Sequence, residues 1–174
     1  MIEANQHPLL GKHKHHSNWY TPTHIWTKIK ATFNTGIIYD PCPIYGLEDV
    51  EAGKLHDGLD STYWHLDNIY INPPSPASKW AIEALKHYQE NSHKSIMFAA
   101  YSEAVLFQQP ELKRHLTCWV RNRIKWDSNT PEKVSPRSYN AFILMTNNDK
   151  MKNRFYDNFH DMGDVGYFYP MYRI

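Results

Sequence analysis

An apolar run that ends in Asn-Pro-Pro constrains this chain more than any other feature. In "IYINPP" (Ile69 to Pro74) the two prolines lack N–H donors and fix φ, so Asn72 and Pro73 are held extended. A rigid arm of this kind can present the Asn72 amide and the Pro73 carbonyl as fixed acceptors. It can equally be a stiff strand-to-helix turn. A second apolar run, "IIYDPCP" (Ile37 to Pro43), also reads as a short buried strand and also ends in a polar turn, at Asp40-Pro-Cys-Pro43.

Between and after these runs, helical and extended patterns alternate. Thr21-Pro22 opens a helix, with Thr21 able to cap it, Pro22 suited to its first position, and Ile25, Trp26, Ile29 and Phe33 on one face. Asn34-Thr-Gly36 stops it. Ile44 to Trp64 is poorly patterned, with Gly46, Gly53 and Gly58 as loop points. Ser78 to Tyr88 is helical, and Ser95 to Ala100 ("SIMFAA") is a third buried strand, followed by a helix near Glu103 to Phe107. "CWVRNRIKW" and "SYNAFILMT" read as two further strands joined by the polar loop Asp127 to Arg137, and Lys150 to Met162 as an amphipathic helix. The pattern predicts a single α/β domain over 1–174, with a polar arm at about 1–18. Its sheet is expected to be mainly parallel, with an antiparallel pair near its end.

Composition bounds the class. A 174-residue chain with 41% hydrophobic residues is long enough to bury a core without disulfides, and Cys42 and Cys118 suggest neither a disulfide framework nor a zinc knuckle. No apolar run approaches the roughly 18 residues of a membrane-spanning helix. No signal-peptide core opens the chain, so a cytoplasmic protein is expected. "HKHH" (His13 to His16) is read as part of an exposed arm and no metal is assigned to it. With a net charge of +1, any nucleic-acid contact must come from a local patch. The candidates are Arg121, Arg123 and Lys125, near Arg114 and interleaved with Trp119 and Trp126, and then Lys133 and Arg137 in the following loop. The basic residues of the strand can also be no more than its solvated face.

In open α/β sheets ligands gather at the carboxyl ends of the strands, where Asp40 and Asn72 both fall. Asp40 can also serve only to cap its turn. The order "WYTP" (Trp19 to Pro22), "DPCP" (Asp40 to Pro43), "DGL" (Asp57 to Leu59) and "NPP" (Asn72 to Pro74) resembles the phage-type, Dam-like DNA N6-adenine methyltransferases. "RIKW" (Arg123 to Trp126) and "SPRSYNAFILM" (Ser135 to Met145) look like that family's last hairpin, so the resemblance runs from Trp19 to Met145.

The resemblance implies a class I methyltransferase fold, Rossmann-like, that uses S-adenosyl-L-methionine (SAM) and acts on DNA in a bacterial host's cytoplasm. It implies that Trp19, Tyr20, Thr21 and Pro22, together with Asp40, Pro41, Cys42 and Asp57, line the cofactor pocket. It makes Asn72-Pro73-Pro74-Ser75 the catalytic motif. The amine of adenine is a poor nucleophile because its lone pair is delocalised into the ring. Acceptors at Asn72 and Pro73 would take its two hydrogens and localise that pair, with no metal and no covalent intermediate needed. Ser75 departs from the family, whose fourth residue is aromatic and stacks on the flipped base. Ser75 is instead expected to cap a helix that starts at Pro76, and Tyr101 or Tyr139 could supply the missing ring. The alternatives are a methyltransferase acting on cytosine N4 or another amine, and a methyltransferase-like binding protein without turnover.

Overall fold

The computed structural model describes residues 19–42, 50–52, 58–74, 76–100, 109–128 and 140–168. Nine strands and three α-helices occur among them. The strands are β1 (Trp19–Tyr20), β2 (Ile38–Asp40), β3 (Val50–Ala52), β4 (Asn68–Ile71), β5 (Ser95–Ala100), β6 (Leu116–Val120), β7 (Asp127–Ser128), β8 (Ala141–Met145) and β9 (Gly163–Gly166). The helices are α1 (Thr23–Phe33), α2 (Ala77–Glu90) and α3 (Asp149–Phe159). Seven strands form one sheet in the order β3-β2-β4-β5-β8-β6-β9, while β1 and β7 form a separate antiparallel pair.

The α/β expectation holds, but the sheet is not mainly parallel. Its β3-β2-β4-β5 half is parallel throughout, and its β5-β8-β6-β9 half is antiparallel throughout. The late strands do pair antiparallel, β6 with β8, but they are not a simple hairpin. β7 leaves the main sheet to pair with β1, and β9 adds an edge beyond β6.

Strand alternation sorts the core onto two faces. On one, Ile38, Tyr70, Met97, Ala99, Phe142, Leu144 and Cys118 pack under α1 and α3 through Ile25, Trp26, Ile29, Phe155 and Phe159. On the other, Tyr39, Ile69, Ile71, Phe98 and Ile143 pack under α2 through Trp80, Ala81, Ala84 and Leu85. The helices forming the first face are tied together. Lys28 Nζ donates to the Asn158 carbonyl at 2.7 Å, and Arg154 Nε to the Thr32 carbonyl at 2.8 Å.

Two helix starts differ from expectation for the same reason. Pro22 (φ −61°, ψ 150°) and Pro76 (φ −86°, ψ 120°) are both extended, so each occupies the cap position and the helix begins one residue later. Neither helix has a side-chain cap, so Thr21 does not cap α1 and the start of α2 is not the one expected of a Ser75 cap. Ser75 itself lies outside the described residues, as do the expected helix at 103–107 and Tyr101 and Tyr139. The helix expected over Lys150 to Met162 is α3, started by Asn148 Oδ1 accepting from the Met151 amide at 3.1 Å.

Candidate functional site at the carboxyl ends of β2 and β4

The chain order places the site. From β2 the chain adds β3 on one side and then returns to add β4 on the other, so the winding direction reverses between β2 and β4. That reversal is a topological switch point, where open α/β sheets leave a crevice outside the carboxyl ends of their strands. Asp40 ends β2 and Asn72 follows the last residue of β4, with Tyr39 paired to Ile69. The two turns singled out in the sequence are therefore neighbours across one strand spacing of roughly 5 Å.

The Thr21-Pro22 segment is tied to the β4 end. Thr21 Oγ1 lies 3.0 Å from the Tyr70 hydroxyl, and Asn72 Nδ2 donates to Thr21 Oγ1 at 3.4 Å. All three side chains sit on the α1 face, and Thr21 and Asn72 are only 5% and 7% exposed. The hydroxyl expected to cap α1 thus holds the Asn72 amide. Pro73 is buried and Pro74 exposed, so the arm is anchored at its first proline.

Asp40 is buried at 1% exposure, and its Oδ1 accepts from the Cys42 amide at 2.8 Å. Burial pushes its carboxyl up from 3.8 to about 8, against the lowering effect of that amide. The Cys42 thiol is pushed well above its ordinary value, first by desolvation and then by Asp40 beside it. Pro41 is buried. The turn at Gly58-Leu59 closes on this loop from the α2 side. A Cβ on Gly58 would collide with the Pro41 carbonyl oxygen and come within 2.7 Å of the Trp80 ring, so only glycine lets the backbone this close. Trp64 Nε1 fixes the same turn by donating to the Gly58 carbonyl at 2.9 Å. Asp57 lies outside the described residues, as do Lys133 and Arg137.

Trp19 and Tyr20 form β1, which pairs with Asp127 and Ser128 of β7 and so brings the 121–126 segment toward the site. Arg121, Arg123 and Lys125 are all exposed there. Arg121 is held by Asp164 of β9 at 3.0 Å. Trp126 is buried, with Nε1 donating to Asn140 Oδ1 at 3.3 Å, so it belongs to the core and not to a stacking surface. Trp119 is half-buried against Phe168. Asn140 escaped the sequence reading. An asparagine two residues into a run of strand-like residues gives no signal of its own, and only the bond from Trp126 makes it noticeable.

No helix among the described residues is long and apolar enough to cross a membrane, and none of their His, Cys, Asp and Glu side chains form a group of three or more able to hold a metal. No family model matches the chain, and neither does any curated protein or solved structure.

Proposed function

We propose that this protein is a SAM-dependent DNA methyltransferase acting on the N6 amine of adenine, built on a class I methyltransferase fold. One observation carries the reading. Thr21-Pro22, Asp40-Pro41-Cys42, Gly58-Leu59 and Asn72-Pro73 are far apart in the chain, yet Thr21 bonds Asn72, Gly58 presses on Pro41, and the strands that lead into Asp40 and Asn72 are neighbours at the switch point. Those four segments are also the ones that carry the resemblance to the Dam-like family, and nothing in their local patterning requires these contacts.

The residues fit the cofactor. Strand ends at a switch point, a backbone loop that glycine allows close to Pro41, and a buried carboxyl suit a ligand with a ribose and an apolar ring. Asp40, Pro41 and Cys42 would hold it from β2, and Thr21 and Pro22 from the segment before α1. Bound SAM supplies an electrophilic methyl group on a sulfonium. Everything else falls to the chain. Asn72 Oδ1 and the Pro73 carbonyl accept the hydrogens of the target amine and orient its lone pair, while Thr21 keeps the Asn72 amide from rotating. The buried surroundings of Asn72 strengthen these dipoles, since water is not there to screen them. Exposed Arg123 and Lys125, on the segment leading into β7, supply phosphate contacts beside the site.

The test is mass spectrometry of nucleosides from DNA incubated with the protein and methyl-labelled SAM. Labelled N6-methyladenine is expected. Labelled N4-methylcytosine would move the same chemistry to the other amino base. Absence of any labelled nucleoside from protein that binds SAM would leave only a methyltransferase-like binding protein.

A further inference from the structure

Among the described residues, two buried donors on the α1 face have no partner: the Trp26 indole Nε1 and the Asn140 Nδ2. Native proteins leave few such groups unpaired, so each calls for an explanation. Asn140 is the better placed. It directly precedes β8, and the pairing of Ala100 with Ala141 puts it at the carboxyl end of β5, on the same edge of the sheet as Asn72. Alternation puts it on the face of Phe142 and Leu144, which is the face where Thr21, Tyr70 and Asn72 meet.

Its amide has only one sensible orientation. Trp126 Nε1 can only donate, so Asn140 Oδ1 must face it, and the NH2 must point away. Asn140 is 2% exposed. In the sheet β5 lies between β4 and β8, and the register sets Asn72 level with Ala99 and Phe142, so Asn72 and Asn140 stand about two strand spacings apart sideways and two residues apart along the strands, roughly 12 Å. On this face β5 contributes Ala99, whose side chain is a single carbon, so nothing bulky from that residue rises between the two amides.

We infer that Asn140 reads the ring of the target base, its Nδ2 donating to the ring nitrogen beside the amine whose hydrogens Asn72 and Pro73 accept. This rests on the methyltransferase reading and extends it to selection among bases. In adenine and in cytosine the exocyclic amine is flanked by a ring nitrogen that accepts. At the same edge guanine and thymine carry a carbonyl, flanked by a ring N–H that donates. Two acceptors and one donor therefore match an amino base and oppose a keto base. Trp126 is then a positioning residue, which holds the donor in its orientation without touching the base.

The experiment compares methyl transfer to random-sequence DNA made with adenine, 7-deazaadenine or 1-deazaadenine. Each analogue keeps the amine and removes one of the ring nitrogens that flank it. Wild-type protein should lose roughly ten- to a hundredfold in kcat/KM on 1-deazaadenine and little on 7-deazaadenine, because a donor is left unpaired only with the first; the reverse order would overturn the assignment. Asn140→Leu removes the donor at similar volume. It should lose a similar factor on adenine and no longer separate the two analogues. Equal rates of wild-type protein on adenine and both analogues would overturn the assignment, and that arm needs no variant to fold. So would an Asn140→Leu protein that keeps the wild-type selectivity. Failure of wild-type protein to methylate even adenine-containing DNA would instead remove the methyltransferase reading, and this assignment with it.

Discussion

Asn72 and Asp40 end neighbouring strands, yet their surroundings give them opposite tasks. Asn72 is a neutral amide whose value lies in being held still, and Thr21 holds it. Asn72→Ala should therefore cut methyl transfer by about two to three powers of ten while leaving SAM affinity nearly unchanged, the scale of losing one preorganised partner. Single-turnover rates beside calorimetric titration with SAM would show it, and wild-type turnover in the variant would reject the mechanism. Asp40 is an ionisable group that the fold keeps protonated to about pH 8. Its unfolded-state value is 3.8, so between about pH 4 and 8 the unfolded chain releases a proton that the folded chain retains. The contribution of Asp40 to stability is therefore complete below pH 4 and is lost as the pH rises to 8, by at most about 1.4 kcal/mol for each pH unit. Asp40→Asn keeps the acceptor for the Cys42 amide but cannot ionise. Its stability relative to wild type should rise across that window and level off above it, as read from urea unfolding at a series of pH values. A difference that stays flat with pH would mean Asp40 is charged in the folded protein.

Among the elements, the ones legible in the sequence were those whose own residues settle their structure. β5 has the limits expected of it because all six of its residues are buried between two helical layers and its whole run is apolar or small. β3, Val-Glu-Ala, and β9, Gly-Asp-Val-Gly, gave no such signal, because short edge strands take their structure from the neighbour they pair with. The helices start one residue later than the sequence predicts, since proline fixes φ but leaves ψ free, and here ψ is extended. Gly58 marks a loop point in the sequence, and the reason for it appears only in the folded chain, where the turn presses on Pro41 and Trp80. Gly58→Ala must push these elements apart. It should destabilise the protein by about 1–3 kcal/mol, the usual cost of overpacking, and weaken SAM binding as the Asp40 loop shifts. A lowered denaturation midpoint with a weaker dissociation constant is expected; unchanged values of both would separate this turn from the site.

For the molecule as a whole, strand direction was the part that local patterning could not convey. A buried strand reads the same whether its neighbour runs with it or against it, so β6, β8 and β9 were identified or missed without revealing that half the sheet is antiparallel. The Asp40 and Asn72 turns escaped this difficulty because they depend only on the parallel half. There, Asp40 and Asn72 are both followed by prolines that end their strands at the same edge, and this much was visible in the sequence. The same arrangement makes a global prediction. Thr21 bonds Asn72, Gly58 presses on Pro41, and β2 lies beside β4, so a ligand bound at this switch point joins α1, β2, β4 and the turns around them. Such a ligand binds the folded chain and has nothing to bind in the unfolded one. SAM or S-adenosylhomocysteine at about 100 times its dissociation constant should then stabilise the fold by roughly 2.7 kcal/mol, with the midpoint rising further as ligand is added. ATP, which shares the adenosine but lacks the amino-acid arm, serves as the control and should give a much smaller shift. Calorimetry that finds neither SAM nor S-adenosylhomocysteine binding to the folded protein would mean that the crevice at β2 and β4 has another occupant.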